Sequence, residues 1–537
     1  MQMLEKYFDT AFDAPDGIKK LRELILTLAM QGKLVPQDSS DQPASELLKE
    51  IEKEKEQLIK EKKIKKIAIQ SEIKTEKIDF EIPKSWEWVK FGNIAHQITD
   101  GAHHTPTYIN EGVPFLSVKD MSSGVLNFSN TRYISLEQHK DLAKRCNPQN
   151  GDLLLTKVGT TGIPILINTD KEFSIFVSVA LIKFPKQFIS GDFLVWLINS
   201  PFVKKQSADG TEGVGNKNLV LKKINNFTLL IPPLNEQKRI VEKINQLMAL
   251  CDELEKLKEQ KETKKLTVHK SAINQLLDSK DESNSQKGWH FISNHFNDLY
   301  TVKENVSELR SAILQLAMQG KLVPQNPNEQ PASELLKEIE KEKKANKVKL
   351  LEPIKKDEIP FEIPKSWEWL RLTDCYYSIG SKKNQIQTKD YLEKGLIPVI
   401  DQGKEFIGGY SNDEENILKL NNPVIVFGDH TKNIKYVDFD FIIGADGVKV
   451  LCPYSVIYPR FFYFVLQSYD IRNRGYARHF KLLNEKFFCL PPKNEQERIV
   501  EKINQLMALC DDLEKQIKNS SSKQTQLLNA IMSNLGK

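Results

Sequence analysis

The chain has 537 residues, of which 40% are hydrophobic and 28% charged, and its 77 Lys+Arg against 72 Asp+Glu leave a formal net charge of only +5. That surplus excludes a uniformly basic, nucleic-acid-coating protein, so any nucleic-acid surface is local, and the composition is that of a globular chain of several domains. No apolar run reaches the ~18–20 residues that span a bilayer, and the N-terminus lacks a basic-then-apolar leader, so a cytoplasmic protein with no membrane partner is expected. The six cysteines (Cys146, Cys251, Cys375, Cys452, Cys489, Cys510) include no close pair, which excludes a disulfide scaffold and a zinc-finger ligand set; the adjacent pair His103-His104 is poorly spaced for a shared metal, and no metal site is expected.

In chain order, a helix is predicted over 18–30, with Gly32 as its C-cap glycine. A second helical block at 42–55 runs into the Lys/Glu-rich stretch 57–77, whose interleaved acids favour a solvated face over a DNA-backbone stripe. Strand-rich sequence follows at 113–118, 152–156, 164–167 and 175–184, then a helix at about 192–205. Pro232-Pro233 marks a sharp helix start, and Ile240, Ile244, Leu247, Cys251 and Leu254 step by four and three in heptad fashion. A polar stretch at 278–288 (DSKDESNSQKG) reads as a linker, followed by a helix at 302–318 and a Lys/Glu-rich segment at 341–356. Strands recur at 397–400, 423–427 and within 434–451, and a helix at 459–471. After Pro491-Pro492 a final helix from 494 to 535, about 60 Å at 1.5 Å per residue, repeats the heptad pattern through Ile499, Ile503, Leu506, Cys510, Leu513 and Ile517.

Self-comparison organises these elements. Residues 25–37 recur at 313–325 with one difference; 42–55 (QPASELLKEIEKEK) recur unchanged at 330–343, as do 80–88 (FEIPKSWEW) at 361–369; and 235–256 recur at 494–515, differing at Lys238/Glu497 and Glu253/Asp512. Between the matched blocks, 89–231 and 370–490 barely match. One frame has been copied and its two inserts differ. Two near-identical frames offer two near-equivalent docking sites, and two divergent inserts suit two different half-sites. The copy of helix 302–318 stands at the N-terminus, which predicts that helix 18–30 packs beside the last long helix and closes the frame in a circular arrangement.

The fold class expected is α+β, with two mixed α/β recognition domains separated by a long antiparallel pair of repeated helices and an internal pseudo-two-fold repeat. The divisions are a helical frame segment at 1–85, a first recognition domain at 86–233, a long helix at 234–277, a linker at 278–292, a second frame segment at 293–366, a second recognition domain at 367–492 and a closing helix at 493–537.

Catalytic signatures are missing from the sequence. Gly32-Lys33 and Gly320-Lys321 are followed by leucine rather than the Ser/Thr of a phosphate loop, Asn147-Pro148 continues with Gln149 rather than as a methyltransferase motif, and no nucleophile elbow or zinc-protease motif occurs. The chain reads as a non-enzyme. What the inserts carry are polar loops between strands: His103, His104 and Thr105; Lys157 and Thr160; Asn216, Lys217 and Asn218 in a glycine-rich run; His430, Thr431 and Lys432; and Arg472, Arg474, Tyr476, Arg478, His479 and Lys481, five of them basic with no acid among them. These types suit DNA, because Arg, Lys and Asn donors match base edges while Thr and backbone amides hold phosphates. The histidines and the glycine-rich run read equally well as solvated surface loop. Trp86/Trp88 and Trp367/Trp369 read as packing anchors, and Cys251 and Cys510 as core thiols.

The two Pro-Pro-x-Asn-Glu-Gln-x-Arg-Ile-Val-Glu-Lys-Ile runs (232–244 and 491–503), the duplicated Leu-Ala-Met-Gln-Gly-Lys-Leu-Val-Pro, and the Asp-Gly-x-His-x-Thr-Pro and Gly-x-Pro-Phe-Leu patterns at 100–106 and 112–116 resemble the specificity (S) subunit of a Type I restriction–modification system. The resemblance covers essentially the whole chain. It implies a non-catalytic DNA-binding subunit that reads a bipartite asymmetric target, one recognition domain per half, with the helical frame setting the spacer. It implies two methyltransferase (M) subunits as partners and restriction (R) subunits joined through them. The assembled complex would be a site-specific deoxyribonuclease and adenine methyltransferase using S-adenosylmethionine, ATP and Mg²⁺, with no cofactor on this chain. The alternative expectation is a duplicated coiled-coil adaptor whose inserts bind proteins.

Overall fold

The computed structural model describes residues 2–65, 73, 80–213, 217–278, 282–345, 354–444, 446–472, 475 and 478–535. The chain forms two compact units, one of residues 1–259 with 521–537 and the other of 260–520. Two 43-residue helices, Leu234–Leu276 and Lys493–Leu535, each contribute to both units. The architecture is mixed helix and sheet.

In the first unit three of the five heptad residues do what their spacing demands, while Leu247 is half-buried against the same core and Leu254 is exposed. Ile240, Ile244 and Cys251 are buried in a core with Leu26, Met30 and Trp86, where full burial of each aliphatic side chain is worth about 1.5–3 kcal/mol. Helix Gly17–Met30 lies along the first long helix, with Arg22 bonding Asp252 at 2.7 Å and Glu255 at 2.9 Å. Gly32 has φ +66°, and a Cβ there would stand 2.3 Å from Pro83 Cγ, so only glycine fits this C-terminus. The N-terminal packing differs from the expectation: helix Gly17–Met30 lies on the first long helix, and the residues that meet the last helix precede it, Ala11, Phe12 and Ala14 clustering with Leu528 and Ile531 and only Leu21 of 18–30 packing against them.

The first insert begins and ends on one antiparallel pair, Glu87–Lys90 with Thr228–Ile231. Above this neck a four-stranded antiparallel sheet orders Gln97–Asp100, Val179–Lys183, Leu153–Thr156 and Pro164–Leu166, and a smaller sheet places Val113–Leu116 between Arg132–Ile134 and Ser174–Ile175. The run 175–184, expected as one strand, serves both sheets: the chain turns at 176–178 where Val177 N–H donates to Ala102 O. The helix expected at 192–205 is two, Gly191–Asn199 and Pro201–Gly210, because Ser200 is extended (ψ 151°) before Pro201 opens the second.

The second unit repeats this plan on unrelated insert sequence. Its neck pairs Glu368–Arg371 with Phe487–Leu490 in the equivalent register. Its main sheet orders Tyr376–Ser378, Val448–Pro453, Val424–Gly428 and Ile434–Val437, and its second sheet Gln385–Ile386, Ile442–Gly444, Ile397–Ile400 and Gly409–Ser411. With the extra edge strand Gln385–Ile386 set aside, matching strands in chain order shows the two inserts to share one topology. Arg310 of helix Lys303–Met318 bonds Asp511 at 2.6 Å, mirroring Arg22.

The linker expected over 278–292 differs from the structure. Glu282–Asn294 is a helix whose buried Gly288 approaches the first long helix so closely that a Cβ would lie 2.6 Å from Ala272 O, and Ile292 is buried. A polar composition hid one glycine contact and one apolar anchor. Of the Lys/Glu-rich stretches, 57–65 continues helix Ala44–Lys60 and its end, and 341–345 ends helix Ala332–Ala345; residues 66–72, 74–79 and 346–353 lie outside the described residues. No helix among the described residues is long and apolar enough to cross a membrane.

Candidate nucleic-acid interface

Each insert is held to its frame by the same polar clamp. Trp86 Nε1–H donates to Glu236 Oε2 at 2.9 Å, and Gln37 donates to the other oxygen; Trp367 and Gln325 do the same for Glu495, the tryptophan at 3.0 Å. The next residue reads the insert: Gln237 Nε2–H donates to Pro232 O while its Oε1 accepts from Ser190 N–H at 2.9 Å, and Gln496 donates to Pro491 O and accepts from Tyr458 N–H at 2.7 Å. Glu236, Gln237, Glu495 and Gln496 are all buried. Burial raises the Glu236 and Glu495 carboxyls above their ordinary range, and the tryptophan and glutamine donors draw them partly back. Trp86 and Trp367 are therefore anchors, as the sequence suggests, and the duplicated Asn-Glu-Gln fixes how each insert stands on its helix.

On the first insert the structure brings three of the predicted loops together. The loop after strand Leu153–Thr156 pairs with the segment before helix Leu221–Asn225, through Leu219 N–H to Lys157 O at 2.7 Å and Gly159 N–H to Lys217 O at 2.9 Å. The loop after strand Gln97–Asp100 joins them through Asp100, whose carboxylate meets Lys157 Nζ at 3.1 Å and His103 Nε2 at 2.9 Å. His103, His104, Thr105, Thr160 and Lys217 are exposed and Asn218 half-buried; Asn216 lies outside the described residues.

Lys157 needs correction as a direct DNA contact. It is 5% exposed, and its ammonium neutralises buried Asp100 from behind the loops. Burial pushes the Asp100 carboxyl up, but hydrogen bonds from His103 and Lys157 outweigh it and hold the group below its ordinary value. Arg145, which the sequence reading passed over, also reaches Asp100, its Nη2 standing 2.6 Å from Oδ1. The only sequence signal was a Lys-Arg pair after a short helix.

The second insert uses the equivalent loops. The turn after strand Val424–Gly428 holds His430, Thr431 and Lys432, and it bonds the segment before helix Phe480–Asn484 through His479 N–H to Asp429 O at 2.8 Å. Gln402 ties a third loop in: its Oε1 accepts from His430 N–H at 3.1 Å, its carbonyl accepts from Thr431 Oγ1 at 2.6 Å, and its Nε2–H donates to Asp446 O. Lys432 sits at φ +63°, and its ammonium caps Ile471 O at 3.2 Å. Thr431, Arg472, Arg478 and Lys481 are exposed, and His430 is half-buried; Arg474 and Tyr476 lie outside the described residues. His479 is the second correction: it is fully buried, with Nδ1 against Asp429 O at 3.0 Å, so it shapes the loop from within. Gln402 and Asp429, which organise this face, carry no sequence signal beyond following strands.

Paired loops of one topology, differing in side chains and mounted on a duplicated clamp, invite comparison with known proteins. The family described as Type I restriction modification DNA specificity domain matches residues 83–265 and 364–520. The chain belongs to this family. It is 32% identical over 563 aligned residues to the Type I restriction enzyme EcoAI specificity subunit of Escherichia coli, covering 96% of this chain and 93% of that one. It is 34% identical over 389 residues to the EcoEI specificity subunit of the same organism, covering 66% and 61%. The HsdS subunit from Thermoanaerobacter tengcongensis aligns over 84% of this chain and 97% of its own at 15% identity, with a TM-score of 0.41. The protein is thus a DNA specificity subunit of a Type I restriction–modification system, and the adaptor alternative falls away. Among the described residues no group of three or more His, Cys, Asp or Glu side chains is placed to hold a metal.

Proposed function

We propose that this specificity subunit reads a bipartite, asymmetric DNA target, residues 86–233 reading one half and 367–492 the other. The observation that carries the reading is the equivalence of the two loop sets: the loop after the third strand of each main sheet is hydrogen-bonded to the segment before a short helix, and the side chains they present differ. A shared scaffold with different donors suits two different base sequences. The exposed members His103, His104, Thr105, Thr160, Lys217, Thr431, Arg472, Arg478 and Lys481, with half-buried Asn218, His430 and Lys432, form the proposed contact set, which Asn216, Arg474 and Tyr476 join by their place in the sequence.

The duplicated frame (1–85, 234–277, 293–366 and 493–537) is proposed to dock two M subunits, and R subunits through them. Catalysis and its S-adenosylmethionine, ATP and Mg²⁺ belong in this reading to those partners. Native mass spectrometry of the chain co-expressed with an M subunit tests the assembly. Two M copies per chain are expected; one copy, or none, overturns the docking scheme, and a complex that methylates DNA without sequence preference overturns the reading scheme.

A further inference from the structure

We infer that Arg145 is a specificity-determining side chain of the first recognition domain, reading a guanine edge in its half-site, with Asp100 as the positioning residue behind it. The inference rests on the DNA-reading function proposed above. Asp100 closes strand Gln97–Asp100 and is 3% exposed, yet three cationic or ionisable side chains converge on it: Arg145 at 2.6 Å, His103 at 2.9 Å and Lys157 at 3.1 Å. Buried Lys157 alone balances the carboxylate. Arg145 approaches from the solvent side and leaves a net positive charge on the surface there.

The two cations on Asp100 are placed for different work. Lys157 is enclosed and points its charge inward. The Arg145 side chain is 54% exposed, and its Nε and Nη1 take no protein partner among the described residues, so only Nη2 is occupied. Arginine holds five N–H donors in a rigid plane. Pinned by one nitrogen, the guanidinium gives up much of its rotamer freedom before DNA arrives, which removes part of the ordering cost of binding. What it still presents are donors only: Nε–H, the Nη1 amine and the Nη2 hydrogen not given to Asp100, which completes a two-donor fork with either neighbour. The major-groove edge of guanine, N7 and O6, offers two adjacent acceptors and no donor, which makes it the matching partner of a two-donor fork, whereas adenine and cytosine each present a donor amine and thymine a single acceptor beside its methyl group. The position is right as well, since Asp100 ties this guanidinium to the loop bearing His103 and, through Lys157, to the paired loops bearing Thr160 and Lys217.

The test is a base-resolution methylome of cells carrying an M subunit with the wild-type chain, Arg145→Lys or Asp100→Asn. A wild-type chain that directs no split-motif methylation defeats the underlying function and is told apart from failure of this inference, which is read only against a wild-type motif. Arg145→Lys keeps the charge and loses the planar fork. It is expected to relax discrimination at one G·C pair of one half-site by about ten-fold or more, leaving other positions and the whole second half unchanged. Asp100→Asn is expected to relax the same pair. Uniform loss over both halves, the signature of a phosphate contact, overturns the inference; so do an unchanged motif and a first half-site with no G·C pair. Should Asp100→Asn fail to fold, Arg145→Lys decides alone.

Discussion

The clamp between insert and frame carries a stability prediction that its own duplicate controls. Trp86→Phe keeps the ring in its buried place and deletes the N–H that Glu236 Oε2 accepts at 2.9 Å. Glu236 is 1% exposed and, among the described residues, is left with the Gln37 donor on its other oxygen. Losing one hydrogen bond to a buried charge costs about 1.5–3 kcal/mol, which for a unit of this size lowers Tm by roughly 3–12 °C. The pH dependence follows from the carboxyl. Burial raises the folded-state pKa of Glu236 above the ordinary value, so ionised Glu236 costs stability at neutral pH, and this cost is relieved as pH falls through the folded pKa. Removing a donor to the charged form raises that pKa further. The deficit of Trp86→Phe should therefore be largest near neutrality and shrink as pH falls towards the carboxylate range. Thermal unfolding followed by circular dichroism over a pH series measures both features, and Trp367→Phe should behave alike through Glu495. A deficit below about 0.5 kcal/mol, the size of an ordinary surface substitution, would refute the clamp; one that does not change with pH would refute its electrostatic origin.

Three further outcomes are expected. Gly32→Ala and Gly320→Ala each place a Cβ 2.3 Å from a proline Cγ at positive φ, and each should lower stability by more than about 1 kcal/mol in denaturant melts. His269 is fully buried against Tyr300 OH at 3.0 Å, and burial lowers its pKa. Its contribution to stability is therefore present above about pH 6.5 and lost as pH falls through the folded pKa, so in His269→Gln the acid-side decline of Tm should flatten. Deleting residues 1–16 uncovers Leu528 and Ile531 and should expose the end of the last helix to faster amide exchange, while protection at Ile499 and Ile503 is kept.

Much of the frame was readable because repetition and heptad spacing are local signals. Ile240, Ile244 and Cys251, with their copies Ile499, Ile503 and Cys510, are buried as their steps of three and four require. The single run at 434–451 became three strands, Ile434–Val437, Ile442–Gly444 and Val448–Pro453, because sheet assignment depends on partners far along the chain. The shared topology of the inserts was invisible for the same reason: nothing local says that the loop after Thr156 and the loop after Gly428 occupy equivalent places. Within the site, sequence identifies donors without their direction. Lys157 and Arg145 are both cations in polar stretches, and only the position of Asp100 sends one inward and leaves the other half in solvent. His479 sat in the acid-free basic run 472–481 and is fully buried, because the Asp429 carbonyl behind the loop holds it.

The central claim is that the two inserts read separate halves of one target. It is tested most directly by a base-resolution adenine methylome of cells co-expressing this chain with an M subunit, before and after residues 89–231 are exchanged for the corresponding insert of a relative. The account predicts methylation at one asymmetric split motif, of which the exchange alters one half and leaves the other intact. Methylation indifferent to the exchange, with the subunits demonstrably assembled, would contradict it.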